Sequence, residues 1–355
     1  MIKTEKAGKL GMNKLKYWII GICFIVMMTM YGNLSYAAEL KFSVEPVLPE
    51  NQITDKHTYF DLLMKPEQKQ TLTIHMRNDT DKEVVVEPKI NPATTNINGV
   101  VEYGSSNTSL DKTAPYNVTQ LVEPSEKEVK IPAKGEYKLE LNVHMPKDPF
   151  QGVLAGGITL QEKEQTQKKQ TKKQEQGLAI ENKYAYVVAI VLRESKDAVA
   201  QQLLLEDVAP GQVNARNVIK ATLKNPKAAY INQLAVKAKI TKKGQTESLY
   251  TSEKKEMQMA PNSTFTYPIA LEGQKLEAGK YTLAMKAISS QKEWTFTKDF
   301  EIQANVAKQL NEKDVTIPKN NHLWLYIGLT VLLIVIVFLV SIFIYRKQKR
   351  NKKIE

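Results

Sequence analysis

Four histidines, His57, His75, His144 and His322, and one cysteine, Cys23, are the residues that could hold a metal or supply a strong nucleophile. No two histidines have the spacing of a zinc site, and no cysteine stands near them. The pairs His75-Met76 and His144-Met145 suggest copper ligands. Each pair lies on an expected strand, however, where neighbouring side chains leave opposite faces and cannot easily meet one ion. There is no Gly-x-Ser-x-Gly elbow, Walker loop or dinucleotide fingerprint. No sequence pattern brings two carboxylates together as glycoside hydrolysis requires. These absences point away from an enzyme, a metal centre or a cofactor. The opening left for catalysis is a pair of carboxylates joined only by the fold, which would make a wall-active hydrolase.

Binding chemistry is better represented. The run Asn91-Pro92-Ala93-Thr94-Thr95-Asn96-Ile97-Asn98-Gly99 precedes Val100-Val101-Glu102-Tyr103. Thr94, Thr95, Asn96 and Asn98 offer donors and acceptors to hydroxyl groups, and Tyr103 offers a ring on which a sugar can stack. These five are the candidate ligand-binding residues. The same composition also describes an ordinary hairpin turn.

The elements that would position this loop are strands. Period-two alternation recurs at Thr71–Met76, Tyr137–Val143 and Leu234–Ile240, the mark of half-buried strands. Asn98-Gly99, Lys134-Gly135, Lys243-Gly244 and Ala278-Gly279 punctuate them as turns. A helical pattern is absent from this region apart from a short turn near 305–312. The expected fold class is all-β: two tandem immunoglobulin-like β-sandwiches followed by one transmembrane helix. Leu72–Asn78 resembles Ile219–Asn225, and Ala133–Leu139 resembles Ala278–Leu283, a faint internal repeat. Residues 161–177 contain no apolar side chain and read as a solvated loop. They are an interdomain linker or the tip of a hairpin between the apolar runs Gly152–Leu160 and Tyr184–Leu192. The hairpin is preferred, giving sandwiches at 38–194 and 195–305 with the boundary near Ser195, and a polar stalk at 306–322.

The chain of 355 residues has a formal net charge of +12, which taken whole would suggest nucleic acid. The excess is concentrated at the ends. Residues 1–37 carry +4, residues 346–355 carry +5, and residues 38–322 hold 39 basic against 36 acidic residues. The N-terminal excess precedes the apolar run Trp18–Met30 and the small-residue pattern ending at Ala37, the layout of a secretory signal peptide cleaved after Ala37. Residues 323–345 are uncharged and apolar over enough length to cross a bilayer. Arg346 and Lys347 open the basic tail 346–355, which the positive-inside rule places in the cytoplasm. The expected topology is one span, with both sandwiches outside and no nucleic-acid partner. No Leu-Pro-x-Thr-Gly sorting motif precedes the span, so a retained membrane anchor is expected rather than covalent wall linkage.

An ordered set of segments carries a resemblance. Val44–Gln52, Tyr59–Leu62, Asn91–Tyr103 and Phe150–Ile158 resemble the N-terminal domain of the WxL-interacting proteins. Asn182–Tyr186, Asn217–Pro226, Met259–Ser263 and Ala278–Tyr281 resemble the C-terminal domain of that family. The resemblance implies a Gram-positive surface protein whose first domain binds peptidoglycan and whose second binds host protein such as extracellular matrix. It also implies partnership with surface proteins that carry a Trp-x-Leu domain. Trp18, Trp294 and Trp324 are each followed by something other than Leu two residues on, so the chain looks like the partner of such proteins. It implies no set of binding residues. The alternative expectation is an export chaperone-like module that holds one secreted partner at a sheet edge.

Overall fold

The computed structural model describes residues 41–104, 110–163, 184–290, 292–318 and 323–351. The expected signal peptide with Ala37, most of the 161–177 loop and His322 lie outside the described residues. Alternating side chains build the first unit. Its strands are β1 (Phe42–Val47), β2 (Phe60–Leu63), β3 (Lys69–Asn78), β4 (Val84–Pro92), β5 (Thr94–Thr95) and β6 (Val101–Glu102). After the one-turn helix α1 (Val118–Leu121) come β7 (Val122–Pro124), β8 (Val129–Ile131), β9 (Glu136–His144), β10 (Leu154–Glu162) and β11 (Ala185–Arg193). One sheet runs β1-β3-β9-β7 and the other β2-β11-β10-β4-β8. Leu72, Ile74 and Met76 lie beside Leu139, Leu141 and Val143 in the first sheet and pack with Ile158, Leu160, Ile190 and Leu192 of the second in one buried cluster. His75 and His144 are exposed while Met76 and Met145 are buried, so each His-Met pair does split across a strand.

The preferred hairpin is present. β10 and β11 pair antiparallel from Leu154↔Leu192 to Gln161↔Ala185. β11 ends at Arg193. β2 is the one parallel partner in this sheet; it pairs with Ile190–Arg193 of β11 and, on its other side, Leu62 bridges Gln52.

The second unit contains β12 (Leu204–Val213), β13 (Arg216–Asn225), β14 (Ile231–Lys242), β15 (Tyr250–Met259), β16 (Ser263–Ala270), β17 (Gly279–Ile288) and β18 (Glu293–Ile302). Sheets β12-β13-β16 and β15-β14-β17-β18 enclose a second core around Ile219, Leu223, Leu234, Ile240, Tyr267 and Leu283. The fold is therefore all-β, as expected.

The internal repeat is half right. Asn78 and Asn225 both end a strand with the side chain fully buried. Asn78 Nδ2 donates to the carbonyls of Lys82 (2.7 Å) and Pro132 (2.9 Å), and Asn225 Nδ2 donates to those of Ala229 (2.7 Å) and Ala260 (2.9 Å). Each Oδ1 accepts the backbone N–H two residues on. The second half of the repeat is corrected. β9 pairs with β3, but the strand that pairs with β13 is β16 and not the strand containing Tyr281. The counterpart of the turn at Lys134 (φ 53°) is therefore the turn at Asn262 (φ 47°).

The stretch expected as a free stalk is corrected as well. Helix α2 (Ala304–Lys313) packs on the second core through Ala307, and the chain stays docked to Ile317, which is 7% exposed. Asn311 Oδ1 accepts the Leu276 N–H and its Nδ2 donates to the Leu276 carbonyl, both at 2.9 Å. Buried Asp314 accepts the N–H groups of Asn217 and Thr316, each at 2.6 Å. Helix α3 (Leu323–Asn351) follows. Its segment Tyr326–Phe343 has mean hydropathy 2.9 and none of it is buried. It is the one helix among the described residues long and apolar enough to cross a membrane.

Candidate functional site

The Asn- and Thr-rich loop is built first from its own polar groups. Asn91 Nδ2 donates to Thr159 Oγ1 at 2.9 Å on the neighbouring β10, and Ala93 N–H to the Ala155 carbonyl at 2.9 Å. β5 and β6 then pair Thr94↔Glu102 and Thr95↔Val101. Asn96 closes the tip: its Oδ1 accepts from the N–H groups of Asn98 (2.9 Å) and Val100 (3.1 Å), and its Nδ2 donates to Glu102 Oε1 at 2.6 Å. Gly99 turns at φ +70° against Met257, whose Cγ would lie 2.6 Å from any Cβ at this position.

This loop reaches the second sandwich. Thr94 and Thr95 are 4% and 5% exposed. Thr95 Oγ1 lies 2.8 Å from Ser263 Oγ and accepts the Ala260 N–H at 2.9 Å. The Gln258 N–H donates to the Gly99 carbonyl at 2.7 Å and the Val153 N–H to the Ala228 carbonyl at 2.8 Å. Asn262 Nδ2 donates to Thr113 Oγ1 at 3.1 Å. Lys224 Nζ meets Asp111 Oδ2 at 2.8 Å, both largely shielded from solvent. Burial alone would raise the Asp111 carboxyl, but the Lys224 ammonium together with the N–H and hydroxyl of Thr113 holds it below the ordinary carboxylate range.

The five sequence candidates therefore separate. Thr94 and Thr95 are enclosed at the junction of the two sandwiches, Asn96 is spent on its own turn, and Asn98 is exposed at the tip. Of the five, Tyr103 alone lines a cleft. The polar run reads as a clamp between sandwiches, and its hydroxyls are unavailable to a ligand from solvent.

The open space beside Tyr103 is a cleft of about 890 Å³. It is bounded by Val44-Glu45-Pro46 on β1, by residues 58–59 and 102–104, and by Tyr186–Ala189 on β11. β1 is the edge of its sheet. β2 covers β11 only from Ile190 onward, so the first half of β11 also forms an edge here. Tyr103 fits over β10 because Gly157 has no side chain; a Cβ there would stand 2.8 Å from Tyr103 Cβ. Tyr103 and Tyr230 hydroxyls meet at 3.2 Å across the junction. Tyr186 sits edge-on to Phe42 with centroids 5.3 Å apart, and Tyr59 stacks on His57 at 4.6 Å. Burial pushes the Tyr59, Tyr103 and Tyr230 hydroxyls above the ordinary phenol range, and Asp61 adds to each. They are neutral phenols at physiological pH. Asp61 itself is buried and held by Arg193 Nη2 at 2.6 Å, with His57 Nδ1 at 3.3 Å.

Sequence reasoning missed Tyr59, Tyr186 and Glu45. The alternation of β1 and β11 carried a signal, because an aromatic or a carboxylate at an edge position is legible once the edge is known. The order of strands that makes β1 and β11 edges is not.

Comparison with known proteins gives two consecutive family matches. Residues 42–162 match the model of the WxL Interacting Protein peptidoglycan binding domain, and residues 175–312 match that of the WxL Interacting Protein host binding domain. The second match begins before β11, although β11 completes a sheet of the first sandwich. No curated protein matches the chain. Solved structures with some similarity include a chaperone–tip adhesin pre-assembly complex of the archaic Csu pili of Acinetobacter baumannii. That similarity has 11% identity and a TM-score of 0.31, over 64% of this chain and 90% of that one. The CupB2 chaperone of Pseudomonas aeruginosa aligns at 12% identity and a TM-score of 0.25, over 66% of this chain and 95% of that one. A SafA pilin–SafB chaperone complex of Salmonella enterica aligns at 10% identity and a TM-score of 0.28, over 75% and 99% respectively.

Proposed function

Because the chain belongs to the WxL-interacting protein family, we propose that it is a membrane-held, non-enzymatic surface scaffold that joins peptidoglycan to protein partners. The observation that carries this reading is the ordered pair of family matches, peptidoglycan-binding then host-binding, over residues 42–162 and 175–312. The partners are surface proteins with a Trp-x-Leu domain and host extracellular-matrix protein. The basic residues from Arg346 and Lys347 onward support a cytoplasmic C-terminal end and an external pair of sandwiches. The helical span of residues 323–345 would be about 35 Å long at ~1.5 Å per residue, enough for a hydrocarbon core of about 30 Å.

The tether is short. Among the described residues the last one docked on the second sandwich is Ile317, and α3 begins at Leu323. The intervening residues reach at most about 20 Å at ~3.5 Å each. Such a tether holds the sandwiches at the membrane face, so that wall contact becomes effectively intramolecular, at up to ~mM effective concentration. Weak contacts to glycan are then sufficient.

Bridging is the test. The full chain in detergent is mixed with insoluble peptidoglycan and a soluble extracellular-matrix protein, and the suspension is sedimented. The matrix protein pellets only when the chain is present. A matrix protein that stays in the supernatant despite a pelleted chain would remove the second half of the proposal.

A further inference from the structure

The cleft beside Tyr103 has two properties that select a ligand. The first is its aromatic lining. Tyr59, Tyr103 and Tyr186 come from three separate segments and converge on one opening. Tyr59 is backed by its stack with His57 and by the first core, and still borders the opening. Neutral phenols combine a flat apolar face with a hydroxyl that donates and accepts, a combination suited to a sugar ring. The second property is charge. Among the described residues lining the cleft the charged ones are Glu45 and Glu102, and both are exposed. A cleft whose fixed charges are all carboxylates repels phosphate polymers and attracts ammonium groups.

From this geometry we infer that the cleft is the peptidoglycan site. An N-acetylated sugar stacks on the tyrosines, and a free amine of the attached stem peptide faces Glu45 and Glu102. The inference rests on the peptidoglycan-binding reading and adds to it a place and a chemical selectivity. The Asn- and Thr-rich loop contributes by holding Tyr103 and Glu102 in position: Asn96 Nδ2 reaches Glu102 Oε1 at 2.6 Å, and Tyr103 leans on Tyr230. Amine selectivity follows from the carboxylates, so chemical acetylation of the wall amines weakens binding while leaving the glycan intact.

The test uses co-sedimentation of the full chain in detergent with insoluble peptidoglycan. Val187→Arg places a cation in the cleft at a position 46% exposed, and Glu45→Gln removes one carboxylate. Both positions are open to solvent and leave the cores intact, which thermal unfolding verifies. Ile288→Arg, an exposed site on the second sandwich, is the control. The expected result is a loss of about tenfold in apparent affinity for each cleft variant, the scale of one charge-assisted contact. A similar loss is expected for the unaltered chain on amine-acetylated peptidoglycan, with no change for Ile288→Arg. Wild-type retention of both cleft variants overturns the inference while the peptidoglycan-binding reading stands. Failure of the unaltered chain to bind at all removes that reading and the inference with it. Intact retention accompanied by lost capture of a Trp-x-Leu protein would assign the cleft, with its open β11 edge, to a polypeptide strand, and this too overturns the inference.

Discussion

Thr95 of the first sandwich and Ser263 of the second meet hydroxyl to hydroxyl at 2.8 Å in a buried setting. Ser263 Oγ also donates to the Ala260 carbonyl at 2.8 Å. Its hydrogen is thus committed, and Thr95 donates the bridging one. Thr95 in turn accepts the Ala260 N–H. The turn that Thr95 grips is the one that also satisfies Asn225. A side chain on the β5–β6 ribbon is thereby tied into the strand-end lock of the other sandwich, and the two units are coupled through backbone as well as side chains.

Thr95→Val keeps the shape and removes the hydroxyl. The Ala260 N–H is left buried without an acceptor, at an expected cost of about 1–3 kcal/mol. Denaturant unfolding of the full chain in detergent measures it. A variant as stable as the parent would mean that the junction opens to water in solution.

Gly152→Ala is expected to be more severe. Gly152 turns at φ +88°, and an added Cβ would stand 2.1 Å from the carbonyl oxygen of Ala228 on the second sandwich. Neither atom belongs to a flexible side chain, so the junction has to separate or the turn has to refold, at about 3 kcal/mol or more. A shift in unfolding midpoint too small to resolve would contradict the close approach of the two sandwiches.

Asn78→Ala and Asn225→Ala are expected to act alike, each costing about 2–3 kcal/mol through buried carbonyls left without donors. The equivalence is the informative part. A large loss for one and none for the other would contradict the view that both strand ends use the same lock.

Acid should loosen the molecule at Asp111 and Asp314. Burial opposes ionisation of both, yet their donors hold each carboxyl below its ordinary value. A depressed carboxylate contributes stability that is present above the unfolded pKa and lost as pH falls through the folded one. The window therefore begins near pH 4 and extends downward. Lys224 is raised, first by its hydrogen bond to Asp111, so its share is lost only in strong alkali, above about pH 10. Thermal unfolding midpoints taken between about pH 5 and pH 3 should fall less steeply for Asp111→Asn than for the parent. Equal slopes would show that this pair is not coupled to folding.

The sheets were legible because burial leaves a period of two in the sequence: Leu72, Ile74 and Met76 announce one face without any partner being known. The β10–β11 hairpin was legible for a related reason. Two long apolar runs must both be interior, which makes them candidates to pair, although a polar tract between them fits a linker as well as a tip. The helix at 304–313 showed only as a short turn, since little of it is buried: Ala307 enters the core and Leu310 packs against it partly buried. The role of Thr94 and Thr95 was not legible at all. A hydroxyl that binds a sugar and one that binds another sandwich are the same hydroxyl; the distance to Ser263 separates them for Thr95, and burial does for Thr94. The repeat failed where it relied on turn composition. Lys134-Gly135 and Ala278-Gly279 look alike, while the true counterpart of Lys134, Asn262, reaches the left-handed region without glycine.

The account stands most directly on wall binding by the unmodified chain. The measurement is the fraction of the full chain, in detergent, retained on purified insoluble peptidoglycan after washing, with soluble glycan-peptide fragments added as competitor. Retention is expected to saturate with added peptidoglycan and to be displaced by the fragments. A chain found wholly in the supernatant at every peptidoglycan concentration would contradict it.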